Sequence, residues 1–136
     1  MILQKKTLLG FFNTADISTQ DCFAISTFNR RTNTNSASKS ITNGFSNDRY
    51  QIIQSIEDYQ RSSQYYQDFP NRSDMYTAIR ESMEILAPLQ GTKSIIVFTS
   101  GYPMENSGSD SESQVLKKAQ DLHIPVYIIQ YAYKSG

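Results

Sequence analysis

The chain has 136 residues, with thirteen Lys and Arg against thirteen Asp and Glu, and so no net charge. That length suits one domain with a real core. The balance excludes the basic excess that non-specific binding to nucleic acid or to an anionic membrane requires. No apolar run approaches the roughly 18 residues of a transmembrane helix, so membrane insertion is not expected.

Ser, Thr, Asn and Gln make up about a third of the chain, tryptophan is absent, and nine tyrosines supply amphipathic rings. The single cysteine, Cys22, excludes an internal disulfide, and its apolar surroundings predict a small buried side chain. The start, MILQKKTLLGFF, is too short and polar for a secretion signal. Asn71-Arg72-Ser73 forms a glycosylation sequon.

In chain order, Leu3 to Ala15 predicts a helix with Leu8, Leu9, Phe12 and Ala15 on one side. Asp21 to Phe28, DCFAISTF, reads as a strand, and Arg30 to Lys39 as a polar loop. Ile41 and Phe45 bracket a second short strand, SITNGF, a hairpin partner with an Asn43-Gly44 turn signal. Asn47 then caps a helix presenting Ile52, Ile53, Ile56 and Tyr59 on one face. A loop from Arg61 to Asn71 follows. Ser73 caps the next helix, with Asp74 in its first turn, Met75, Ile79, Met83 and Leu86 on its apolar side, and Pro88 after its end. Ser94 to Thr99, SIIVFT, is a near-continuous apolar run that predicts a parallel strand covered on both faces. After the loop GYPMENSGSD, Ser109 and Glu112 form a capping box for a helix that buries Val115, Leu116, Ala119 and Leu122. Pro125 to Tyr131, PVYIIQY, is the last strand. From Asn71 onward the order helix, strand, helix, strand is that of right-handed crossovers in a parallel sheet.

The stretches RSDMYTAIRESMEIL, KSIIVFTSG and IPVYIIQYA together resemble the second half of a von Willebrand factor A domain. LLGFFNTADISTQDCFAISTFN resembles that family's first helix and second strand, and SNDRYQIIQSIEDY its next helix. The resemblance covers nearly the whole chain. It implies a three-layer, Rossmann-like α/β fold, with a mostly parallel central sheet, one antiparallel edge strand, and the first strand missing. On this reading residues 1–136 are a single domain, incomplete at its N-terminus and completed by upstream sequence, by a partner, or by a second chain.

Family members hold a divalent cation with a DxSxS loop, a later threonine and the aspartate of a TDG-like turn. Such a cation needs several oxygen ligands in near-octahedral geometry. Here the DxSxS loop is absent. Asp16-Ile17-Ser18 follows a helix rather than a strand and has Gln20 where a serine belongs, and Asp110-Ser111-Glu112 lacks the context as well. Ser73 keeps a hydroxyl at the threonine position, while Ser100 replaces the aspartate. The resemblance therefore implies a degenerate metal site, no cofactor, and recognition of another protein without metal. Ligands of open α/β sheets bind beyond the carboxyl ends of the strands. That places the expected partner surface at Ser73, Asp74, Thr99, Ser100, Gly101 and Tyr102, with Pro103, Met104 and the loop after Phe28 beside them. The family's adhesive role implies an extracellular setting.

Other chemistries fit less well. Ser100 is flanked by Phe98 and Tyr102, not by the glycines of a nucleophile elbow. His123 precedes the last strand while Ser100 follows the previous one, so parallel strands place them roughly 20 Å apart. The glycine spacing in GYPMENSGSD matches no phosphate loop, and no Cys/His cluster suggests zinc. The alternatives to a metal-independent, non-enzymatic adhesion module are two. One is a fragment of a metal-dependent adhesion domain whose first metal loop lies upstream. The other is a flavodoxin-like or hydrolase-type enzyme.

Overall fold

The apolar spacing around Leu8, Leu9 and Phe12 produces helix α1 (Ile2–Thr14), the first element of the computed structural model. The structure describes residues 2–16, 18, 20–28, 39–59, 75–99 and 111–130. Short strands β1 (Ser26–Thr27) and β2 (Lys39–Ser40) follow, then helices α2 (Arg49–Asp58) and α3 (Met75–Leu86), strand β3 (Ile95–Thr99), helix α4 (Glu112–Leu122) and strand β4 (Val126–Gln130). The described residues thus form a mixed α/β structure of four helices and two two-stranded sheets, one antiparallel and one parallel. The chain divides into two compact units, Met1–Thr27 with Lys39–Asp68, and Phe28–Ser38 with Phe69–Gly136.

In the first unit Phe12, Ile52 and Ile56 are buried together, with Leu8, Leu9, Phe11, Phe23, Ile25 and Ile53 against them. The i, i+4 spacing of Ile52 and Ile56 places both on one side of α2. Phe12 meets Phe23 edge to face, with ring centroids 5.3 Å apart. Arg49 Nη2 donates to the Ala15 carbonyl at 2.8 Å, so a side chain of α2 satisfies a carbonyl just past the end of α1.

The predicted hairpin is present and antiparallel, with Ser26 opposite Ser40 and Thr27 opposite Lys39. It is shorter than the sequence suggested. Beyond the two-residue ladder the Ile25 carbonyl accepts from the Ile41 amide at 2.7 Å and an isolated bridge joins Phe23 to Ser46, while residues 41–44 bend and Gly44 takes φ +74°. Backbone at that φ carries little penalty only for glycine. The broken ladder corrects the expectation for Cys22, which is exposed. With one face covered, Phe23 and Ile25 turn inward, so their neighbours Cys22 and Ala24 turn out.

Helix α2 is capped by Asp48 rather than Asn47. The Asp48 backbone is extended, and its carboxylate accepts from the Tyr50 and Gln51 amides at 3.0 and 3.3 Å. Both residues are competent caps; the position at which helical dihedrals begin chooses between them.

The second unit is built on α3, whose buried face is Met75, Ile79 and Met83, joined by Val97 of β3, Val115 of α4 and Ile124. Helix α3 ends before Pro88, and Gly91, at φ +96°, turns the chain into β3. Helix α4 carries a capping box, but at Ser111 and Gln114, two residues beyond the expected pair Ser109 and Glu112. The pattern S-x-x-E/Q occurs twice in SDSESQ, and the copy that places Val115 one residue after the box is the one used. At the other end His123 adopts left-handed φ 54°, ψ 41°, and Ile124 behind it is 1% exposed.

Strands β3 and β4 pair in parallel, in register from Ile95 opposite Val126 to Thr99 opposite Gln130. Ile95, Val97 and Val126 pack on the core. The expectation of two covered faces is corrected: Ile96 is exposed on the opposite face, as are Tyr127 and Ile129.

Candidate functional site

Parallel pairing gives the second unit a defined polarity, because both strands end at the same rim. Thr99 is the last residue of β3 and stands in register with Gln130, the last of β4. Thr99 is buried and Gln130 exposed. Of the residues expected to form a partner surface, Thr99 is therefore placed at the carboxyl rim. Ser73, Asp74, Ser100, Gly101 and Tyr102 lie outside the described residues, as do Pro103 and Met104.

The same polarity bears on the hydrolase alternative. His123 leads into β4 and Thr99 closes β3, so the two stand at opposite ends of a five-residue ladder, about 13 Å long. His123 is exposed at the C-terminus of α4.

Two local hydrogen bonds are seen among the described residues at the nearest imitation of a metal loop. Asp21 accepts from the Ser18 amide at 3.1 Å through Oδ2, and Ser18 Oγ accepts from the Gln20 amide at 3.1 Å. Asp16, just past the end of α1, is exposed. Among the described residues no group of three His, Cys, Asp or Glu side chains converges to hold a metal ion.

Where α3 meets α4, two ion pairs share one carboxylate. Glu84 Oε1 accepts from Arg80 Nη1 at 2.8 Å and from Lys118 Nζ at 3.1 Å. The Arg80 hydrogen bond, and then that of Lys118, hold the Glu84 carboxyl below its usual 4.5. Both pairs are solvent-facing; Arg80 and Glu84 lie one turn apart on α3, and the Lys118 bond ties α4 to α3.

Sequence reading did not find a groove of about 550 Å³ between the start of α3, one side of α4 and β4. Its floor is apolar, from Ile79, Val115, Ala119, Ile124, Val126 and Ile128, with Glu112, Gln120 and His123 on its walls. The available signal was Leu116 and Ile128. Leu116 belongs to the face read as buried and Ile128 to the apolar last strand, and both are more than half exposed. Periodicity marks a side chain as apolar, but a partner element must arrive to bury it.

No helix among the described residues is long and apolar enough to cross a membrane. Comparison with family models, with curated proteins and with solved structures gives no match.

Proposed function

We propose that this chain is a non-enzymatic, metal-independent protein-binding module of the von Willebrand factor A type, built on the three-layer Rossmann-like plan and acting in adhesion outside the cell. The observation that carries the reading is the parallel, in-register pairing of β3 with β4 across the crossover helix α4, with α3 packed beneath. This is the order and pairing the family has in its second half. It supports a ligand rim at the carboxyl ends of the strands, beginning at Thr99.

The side chains that the sequence reading assigns to that rim are Ser73, Asp74, Ser100, Tyr102 and Thr99 itself. They bring hydroxyls, one ring and a single carboxylate. A hard divalent cation dehydrates reluctantly and is not held by neutral hydroxyls with one carboxylate. The ring and hydroxyls suit the mixed apolar and hydrogen-bonding contacts of a protein interface.

The test is thermal melting of the purified chain against Mg²⁺, Mn²⁺, a flavin and nucleotides. A ligand present at about 100 times its Kd stabilises by about 2.7 kcal/mol, a shift of several degrees. The expected result is no saturable shift with any of them at millimolar ion. A saturable shift with Mg²⁺ or Mn²⁺ overturns metal independence, and one with flavin or nucleotide overturns the non-enzymatic reading.

A further inference from the structure

Among the described residues strand β4 is paired on one side only. Among the described residues β3 is its sole neighbour, and Tyr127, Ile128 and Ile129 are 57%, 53% and 41% exposed. Natural edge strands are protected by charge, proline, bulges or a covering element. The strand VYIIQ has no charge, no proline and no glycine. Its two faces are also both apolar, with Tyr127 and Ile129 on one and Ile128 on the other.

We propose that the free edge of β4 is a strand-addition surface whose occupant is β4 of a second copy of this chain, running antiparallel about a two-fold axis at Ile128. The inference stands on this edge alone and does not depend on the family reading. Backbone direction fixes the register. The Pro125 carbonyl accepts from the Ile95 amide at 3.0 Å, so the backbone groups of Pro125 face β3. Alternation then turns the N–H and C=O of Val126, Ile128 and Gln130 to the free side. A two-fold axis at Ile128 sets Ile128 against its own copy and Val126 against Gln130, so every outward group of the strand gains a partner. It also sets Tyr127 opposite Ile129, a favourable aromatic–branched pair.

Charge selects the occupant. A two-fold axis brings each side chain of the strand near its own copy, so any charge on β4 would meet itself. There is none. A different partner steered by charge would need a charged strand to read. The chain as a whole is neutral, so no net repulsion opposes association. Pairing would also turn a two-stranded parallel sheet, marginal by itself, into a four-stranded one.

The test uses the full chain. Sedimentation from about 1 to about 100 μM, a range in which weak dimers form, is expected to show a monomer–dimer equilibrium. Ile128→Lys, at an exposed position, is expected to weaken it by about tenfold or more, because like charges then lie directly opposite. Circular dichroism of I128K confirms that the fold is kept. Geometry is read by oxidation in a Cys22→Ser background. Opposed residues of a hydrogen-bonded pair lie about 5.5 Å apart, within disulfide reach. Ile128→Cys is expected to cross-link as a covalent dimer, and Val126→Cys, which faces Gln130, is not. A monomer throughout the range, a dimer indifferent to I128K, or equal cross-linking at 126 and 128 overturns the proposal.

Discussion

At the scale of single residues, the most informative side chain is one without a partner. Thr77 of α3 is 4% exposed, and among the described residues its hydroxyl has no hydrogen-bond partner. Burying an unpaired hydroxyl costs free energy that an apolar group of the same shape does not. Thr77→Val is expected to raise stability by about 1 kcal/mol, seen as a higher urea midpoint with an unchanged slope. A lower midpoint means that the hydroxyl is satisfied. Asp48 gives the opposite case. Its carboxylate satisfies two amides at the start of α2, so Asp48→Ala is expected to cost about 1 kcal/mol and Asp48→Asn far less. Equal losses from the two substitutions would show that charge, not capping geometry, matters there.

At the scale of elements, each helix joins its unit through one apolar side and a small number of polar contacts. Helices α3 and α4 meet through Met75, Ile79, Met83 and Val115, and are linked at the surface by Glu84 with Lys118, while Arg80 holds Glu84 from within α3. The Glu84 carboxyl titrates lower in the folded chain than in the unfolded one. Its contribution to stability is therefore present above the ordinary value of 4.5 and is lost as pH falls through the lowered folded value. Because the carboxyl is half exposed, solvent screens it strongly. Glu84→Gln is expected to cost about 0.5 kcal/mol at neutral pH and low salt. The difference from the parent should fade at acid pH. A difference that persists below the folded pKa would assign the effect to packing. The strands show how elements were read and misread. The runs SIIVFT and PVYIIQY were legible as strands because they are short, branched and apolar, and their parallel pairing followed from the helix between them. Their burial was not legible, because the same run suits a strand covered on both faces or one left open.

At the scale of the whole molecule, neutrality and an open edge act together. The net charge of zero leaves no long-range field to keep copies apart, and the exposed residues of β4 carry no charge. If association runs through β4, it should be nearly independent of salt. Raising ionic strength from about 0.05 to about 0.5 M shortens the Debye length severalfold, yet is expected to change the monomer–dimer constant by less than about twofold. A steep salt dependence would locate the contact on the charged surface instead. Two separate apolar clusters, one on Ile52 and Ile56 and one on Met83 and Ile124, anchor the two compact units.

The sequence by itself determined the kinds and order of the elements, because periodicity and turn chemistry are local properties that each segment carries alone. Ile52 with Ile56, and Ile79 with Met83, announce helix faces without reference to anything distant. Tertiary structure alone decided which of two adjacent caps is used and that Cys22 faces solvent. It alone left Ile128 uncovered beside an apolar groove. The reason is physical: burial and proximity depend on which distant surface arrives to exclude water, and no local pattern of residues encodes that arrival.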